Sequence, residues 1–159
     1  MASLVLTSAT TLYGTAWTGT APGPANPTVS GTISSSTDYS TWIRAVSIGL
    51  NVAMQDFTTF GDGGFTTQKP GLKGADITVE FNQDFAAAAV DVVFGPAFIA
   101  GTLGYWDFKP TSAARSATNP SYVVAAYISS YPVIGQSVGD RASVQVGLSV
   151  TGTYARLTS

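Results

Sequence analysis

Carboxylates are the side chains in this sequence with the greatest capacity for chemistry. Asp84 and Asp91 are seven positions apart in a segment whose four alanines predict a helix, and two neighbouring carboxylates can act as a general acid and base. No further acid, base or ligand set is signalled around them. We therefore interpret Asp84 as the N-cap of the helix and Asp91 as a solvated surface group.

The segment Gly61-Asp62-Gly63-Gly64 is the second candidate for a ligand site. A phosphate-binding loop of the common type ends in Gly-Lys-Ser or Gly-Lys-Thr and leads into a helix, and neither feature follows here. A calcium loop needs several oxygen ligands, whereas Asp62 stands alone. The sequence therefore predicts no nucleotide, metal or other cofactor.

Composition narrows the function classes further. The 159 residues include no histidine and no cysteine, which excludes disulfides, thiolate nucleophiles, Ser-His relays and the usual zinc sites. The net charge is −2, and no two of the seven Lys and Arg residues are adjacent, so the basic patch of a nucleic-acid-binding protein is missing. We predict a protein that is not an enzyme and does not bind DNA tightly.

Charged residues make up only 10% of the chain, against about 25% in an ordinary soluble domain. Such a surface is poorly protected against association, so we expect it to be covered by partner subunits. Residues 85–106 carry Asp91 as their one charge but contain Gly95-Pro96, which argues against a membrane span. The N-terminus lacks the basic region and long apolar run of a secretory signal.

The strongest strand prediction covers residues 44–55, where apolar and small or polar residues alternate. One face is predicted to be core, and the other suits close approach of another surface or a passing solute; an ordinary solvated sheet face is the alternative. The five predicted core residues are Val46, Ile48, Leu50, Val52 and Met54.

Further strands are predicted at 74–82, 101–108, 122–131 and 143–150, with a helix at about 84–95 that ends at Gly95-Pro96. We predict a mainly β fold, an antiparallel two-sheet β-sandwich or half-barrel with one flanking α-helix. Residues 1–159 are predicted to form one domain, in which 1–40 are an extended N-terminal arm with short strands and 41–159 are the sandwich core. We expect this arm either to lie on a neighbouring subunit or to form a surface loop of its own subunit.

A long hairpin loop is predicted at 56–73, between two antiparallel strands. It contains Phe57, Phe60 and Phe65 around Asp62, and the loop itself offers few contacts to bury three aromatic rings. Exposed aromatic side chains on a long loop favour docking onto another protein over simple disorder.

The order of these parts resembles the major tail tube proteins of long-tailed, non-contractile bacteriophages, over residues 38–156. The segments that carry the resemblance are Gly71–Asp76, Glu80–Phe85, the alanine helix, Trp106–Pro110, Thr118–Tyr122, Gly139–Asp140 and Val150–Gly152.

The resemblance implies a structural virion protein, assembled in the host cytoplasm, whose hexameric rings stack into the tail tube. It implies that one sheet from each subunit joins its neighbours into a barrel around a channel, and that a hairpin loop and terminal arms bridge the rings. Phe57, Phe60, Asp62 and Phe65 are then inter-ring candidates. Tail terminator and tail tip proteins would bind the ends, and the tape measure protein and DNA would pass through without tight binding.

A channel that transmits DNA should have a neutral or acidic wall, because phosphate is then repelled over a screening length of roughly 8 to 10 Å. We hypothesise that one polar strand face lines this channel; its residues are Ser47, Asn51, Gln55, Asp76, Thr78 and Glu80. The alternative from another class is a secreted carbohydrate-binding β-sandwich, which also uses aromatic loops and Thr/Ser-rich strands and would be a monomer.

Overall fold

The computed structural model describes residues 9–23, 28–86, 89–134 and 141–159. These segments form ten strands, one short 3-10 turn at Phe60–Asp62 and one helix. The strands and helix are β1 (Thr10–Gly14), β2 (Ala16–Thr18), β3 (Thr32–Ser34), β4 (Thr37–Asp38), β5 (Ile43–Asp56), β6 (Gln68–Asn82), α1 (Val90–Ala100), β7 (Gly104–Lys109), β8 (Ser121–Ser130), β9 (Ser143–Val150) and β10 (Ala155–Leu157). The predicted mainly β fold with one helix is confirmed.

Eight strands form one antiparallel sheet in the order β4-β1-β7-β8-β9-β6-β5, with β10 paired to β8, while β2 and β3 form a small second sheet. The sheet divides at β8. One edge of β8 pairs with β10 at residues 121–123 and with β9 at residues 126–130, so β9 diverges from β10 along the same strand. The strands on either side of this division share one hydrophobic core, which includes side chains of β1, β6, β7 and β9.

Helix α1 places Phe94 at the centre of that core. The ring of Phe94 lies 4.9 to 5.3 Å from the rings of Tyr13, Tyr39, Phe81 and Trp106, distances at which aromatic pairs attract beyond their buried area. Tyr13 belongs to β1, Phe81 to β6 and Trp106 to β7, while Tyr39 lies in the segment between β4 and β5. A single helical side chain therefore joins both ends of the sheet.

The predicted helix bounds of 84–95 are wrong, because the helix runs from Val90 to Ala100. Its N-cap is Ala89 rather than Asp84, and Pro96 lies inside it rather than ending it. Gly101, with a φ of 60°, ends the helix in the left-handed conformation that favours glycine. Burial decides these bounds: Val90, Phe94 and Ala97 face the core, and tertiary packing outweighs the propensity of the alanines.

Asp84 instead caps the turn before the helix. Its carboxylate accepts hydrogen bonds from the Ala86 backbone N–H at 2.9 Å and from Trp42 Nε1 at 3.0 Å. These hydrogen bonds lower the pKa of the Asp84 carboxyl, the Ala86 amide having the larger effect and the Trp42 indole the smaller. Asp84 therefore has a structural role in this turn.

The hairpin is more regular than predicted. Strand pairing between β5 and β6 continues out to Asp56 and Gln68 through a bulge between Val52 and Met54, so the loop covers 57–67 instead of 56–73. The predicted loop bounds are wrong because Pro70 and Gly71, flanked by Lys69 and Lys73, are residue types that are depleted in strands. The bulge nevertheless accommodates this segment in the strand pairing.

The N-terminal segment differs from the predicted arm. A short strand predicted around residues 11–13 is present as β1, but it lies inside the main sheet between β4 and β7. Ile33 and Tyr39 are also buried. The Gly, Pro and Ser content of 18–40 conceals these few core residues. Residues 1–8 and 24–27 of the predicted arm lie outside the described residues.

Candidate functional site

One face of β5, β6 and β9 is lined by small and polar side chains. Cross-strand rows on this face join Ala45 to Glu80 and Gln145, Ser47 to Thr78 and Gly147, and Gly49 to Asp76 and Ser149. The opposite side of β6 buries Ile77, Val79 and Phe81 in the core. We call the residues of these three rows, together with Arg44 and Asn51, the polar face.

Among its residues, the polar face has one cation, Arg44, and two carboxylates, Glu80 and Asp76. Arg44 Nη1 lies 3.0 Å from Glu80 Oε1, with side-chain exposures of 48% and 34%, and Asn51 Nδ2 donates to Asp76 Oδ2 at 2.6 Å. The cation therefore neutralises one of the two carboxylates and leaves Asp76 with a neutral amide. The resulting surface is polar and weakly acidic.

Five of the six predicted channel residues come together on this face: Ser47, Asn51, Asp76, Thr78 and Glu80. Gln55 does not join them, because it lies opposite Lys69 beyond the bulge, on the part of the hairpin that extends past the sandwich. Sequence reasoning missed the contribution of β9, namely Gln145, Gly147 and Ser149, and the cation Arg44. The same period-two alternation of small polar residues in β9 is the signal that could have found them.

The tip of the hairpin exposes Phe60 and Phe65. The 57–67 loop is nevertheless ordered, because the Asp62 carboxylate accepts from the Thr59 backbone N–H at 2.7 Å and from Thr67 Oγ1 at 3.1 Å. Both hydrogen bonds lower the pKa of the Asp62 carboxyl, the Thr59 amide having the larger effect and the Thr67 hydroxyl the smaller. Asp62 thus positions the aromatic residues through contacts inside the loop.

Phe57 is held differently from the other two rings. The Lys69 ammonium lies 5.1 Å from its ring centroid, within the range of a cation–π contact. Phe57 is 52% exposed and has this contact within its own hairpin, whereas Phe60 and Phe65 are 111% and 79% exposed at the tip.

The predicted core stripe of β5 is covered over only part of its length. Val46 and Ile48 pack against the core, but Leu50, Val52 and Met54 are 60%, 41% and 50% exposed. The prediction of five core residues is wrong for these three because the hairpin extends past the end of β9. Leu50 and Val52 line an open groove of about 660 Å³ together with Lys73, Ala75, Val150 and Tyr154.

Two strand edges flank the polar face. Strand β5 is the last strand of the sheet, so its outer edge has no strand partner in the described chain. Strand β7 pairs with β8 only as far as Ala126, which leaves residues 127–130 of β8 with no described strand along that side. Unpaired edges offer backbone donors and acceptors to another strand.

A buried ion pair lies in the other part of the sheet. Arg115 Nη2 contacts Asp107 Oδ2 at 2.9 Å, with side-chain exposures of 18% and 3%, and the Ser121 hydroxyl donates to the same carboxylate. Arg115 Nη1 also donates to the Gly31 carbonyl at 3.0 Å. Arg115 therefore ties the β2–β3 region to the main sheet, a structural role that the sequence did not indicate.

Tyr131 fixes the start of the helix to the end of β8. Its hydroxyl donates to Asp91 Oδ1 at 2.9 Å and lies 3.2 Å from Gln83 Nε2. Burial and the neighbouring Asp91 carboxylate raise the pKa of this phenol to about 12. Asp91 is thus engaged with Tyr131, contrary to its prediction as a purely solvated group.

Other kinds of site find little support in the segments that the structure covers. Among those residues, no three His, Cys, Asp or Glu side chains are grouped to hold a metal ion. No helix found there has the length and apolar character to cross a membrane.

The fold is similar to that of solved tail structures. A chain from the tail of an empty gene transfer agent particle, refined with C6 symmetry, matches 72% of this chain and 81% of its own length at 18% identity and a TM-score of 0.58. A chain from the virion of the native gene transfer agent particle matches 72% of this chain and 84% of its own length, at 18% identity and a TM-score of 0.58. A chain of the SPP1 tail tube matches 96% of this chain and 77% of its own length, at 12% identity and a TM-score of 0.59. No family model and no curated protein matches the sequence.

Proposed function

We propose that this chain is the structural subunit of a bacteriophage tail tube, in which six copies form a ring and rings stack around a channel for the genome. The observation that carries the proposal is the polar face bounded by two strand edges that have no strand partner among the described residues. Such a face lines a channel when the edge of β5 in one subunit meets residues 127–130 of β8 in the next. The similarity to structures described as tails and tail tubes supports it.

The placement of these edges supports ring formation. They lie on opposite sides of the four-strand unit β8-β9-β6-β5, so each contact is head to tail and every copy presents the same pair of edges. A head-to-tail contact closes into a ring when its rotation divides the circle. Six copies agree with the C6 symmetry reported for the gene transfer agent tail.

The polar face suits the passage of DNA. Arg44 is the one cation among the residues of the polar face, and Glu80 pairs with it at 3.0 Å, so this face offers no unpaired cation to retain phosphate. The carboxylate of Asp76 adds weak repulsion. DNA and the tape measure protein would pass without tight binding, tail terminator and tail tip proteins would close the two ends, and the assembled protein would reside in the virion.

Negative-stain electron microscopy of the concentrated purified protein tests this proposal. We expect rings with a central hole and, at higher concentration, tubes. A particle that stays monomeric at every concentration and ionic strength would contradict the proposal and would favour a monomeric binding module.

The hairpin tip is proposed to bridge successive rings. We predict that replacing Phe60 and Phe65 together with serine leaves the fold and the rings intact but prevents stacking, because both rings are exposed and contribute apolar area only in the assembly. Circular dichroism reports the fold, and microscopy separates rings from tubes. The matched control is Phe57→Ser, whose ring packs under Lys69 and should affect stacking less; normal tubes from the double variant would remove the tip from the contact between rings.

A further inference from the structure

The helix α1 is apolar on its outer side as well as on its inner side. Val92 and Ile99 are 49% and 85% exposed, and Phe98 is partly exposed. The one ionisable side chain of the helix, Asp91, accepts from the Tyr131 hydroxyl, so it does not make the outer side hydrophilic. A helix that is hydrophobic all round is normally buried. The outer side of α1 therefore requires a cover.

The position of α1 in the sheet is defined by β8. Tyr131, directly after β8, holds Asp91 and lies against Gly95, and Phe94 and Ala97 point into the core. The helix thus lies on the core side of the sheet, near the β8 segment 127–130, whose edge beyond β7 has no strand partner in the described parts of the chain.

The groove lined by Leu50 and Val52 is the counterpart of this helix. It lies on β5, at the opposite edge of the four-strand unit, and on the same side of the sheet, because Leu50 and Val52 continue the stripe of Val46 and Ile48. The uncovered apolar stripe and the uncovered apolar helix are therefore at the two edges that a head-to-tail ring brings together.

We propose that the outer side of α1 in one subunit covers the β5 groove of the next subunit in the ring, with Val92 and Ile99 packing on Leu50 and Val52. The inference rests on the proposed ring and adds a second layer of contact behind the paired edges. The occupant is a second copy because each heterologous contact must match one surface of the chain to a different surface of the same chain.

Charge is consistent with this pairing. Lys73 lines the groove, and the carbonyl end of a helix, where Ile99 lies, carries a partial negative charge that favours a nearby cation. The described groove lining contains no carboxylate that would oppose that end of the helix.

Cysteine cross-linking tests the contact, since the chain contains no native cysteine. Four double variants combine Leu50→Cys or Val52→Cys with Val92→Cys or Ile99→Cys. Under mild oxidation of assembled protein, we expect at least one of them to give a covalent ladder up to the closed ring on a non-reducing gel, because disulfides form only between Cα atoms within about 7 Å. Mixing the two corresponding single variants should give dimers and nothing larger.

The controls separate this inference from the ring itself. Each single variant alone should remain uncross-linked, and Phe60→Cys with Ile99→Cys should not produce a ladder within rings. Rings that form normally while all four double variants stay uncross-linked would overturn the helix–groove contact and leave the proposed function standing. Failure of the unmodified protein to form rings would overturn both.

A charge variant gives an independent measure. Val92→Asp places a carboxylate in the proposed apolar contact, away from the helix end that the proposal sets near Lys73, so the concentration needed for ring formation should rise by about tenfold or more, because burying an unpaired charge is unfavourable. The matched control is Ala113→Asp in the exposed loop between β7 and β8, which should leave that concentration unchanged. Equal behaviour of the two variants would contradict the proposal.

Discussion

The Arg115→Ala variant is expected to lose about 3 to 5 kcal/mol of unfolding free energy, because it leaves a buried carboxylate without its cation. The Asp107 side chain is only 3% exposed, and the variant would leave it with the Ser121 hydroxyl, a neutral partner. The same change removes the hydrogen bond from Arg115 to the Gly31 carbonyl. Urea unfolding at a concentration below assembly measures the loss without a contribution from ring formation.

The chain contains a matched control for this variant. Arg44→Ala breaks the second ion pair, but Arg44 and Glu80 are substantially exposed, and exposed pairs contribute about 1 kcal/mol or less. We therefore expect the Arg115 variant to unfold at much lower urea and the Arg44 variant to remain close to the unmodified protein. Equal losses would contradict the assignment of Asp107–Arg115 as the pair that stabilises the fold.

The Ser47→Lys/Thr78→Lys double variant is expected to form tubes that retain DNA, whereas tubes of the unmodified protein do not bind it tightly. The two positions are opposite each other on β5 and β6, so each ring would gain a band of cations facing the proposed channel. Phosphate contacts make affinity strongly salt-dependent, and 6–10 of them change it by about 10³- to 10⁵-fold between 50 and 200 mM salt. A short labelled duplex incubated with assembled tubes measures retention at both salt concentrations.

Nuclease protection distinguishes the channel from the outer wall. DNA held by the double variant should be protected, whereas DNA bound by the control Ala113→Lys/Thr118→Lys, on an exposed loop, should be digested. Unmodified tubes should retain none. Retained but fully digestible DNA in the Ser47/Thr78 variant would place these residues on the outside and contradict the proposed channel.

The sequence predicted the face of β6 correctly because period-two alternation is a local property. Ile77, Val79 and Phe81 are buried, and Thr78 and Glu80 lie on the other side. The neighbour on the second side of β6 was not predictable in this way, since β9 is joined to it through pairs such as Glu80–Gln145. Pairing over such separations depends on the whole sheet.

Burial also escaped local patterns. The alternation in β5 has no break between Val46 and Met54, yet only its first part meets the core, because the length of β9 determines how far the sandwich extends. Arg115 lies in a polar loop that gave no sign of a buried partner. The alanine run signalled a helix in this region, but the packing of Phe94 determined where the helix lies.

Helical reconstruction of the assembled tube at side-chain resolution tests the central claim most directly. We predict six subunits per ring, with the edge of β5 beside residues 127–130 of the next β8, and with Glu80, Asp76 and Ser47 facing the channel. A reconstruction that places Glu80 on the outer wall, or that pairs the subunits through other edges, would contradict the account.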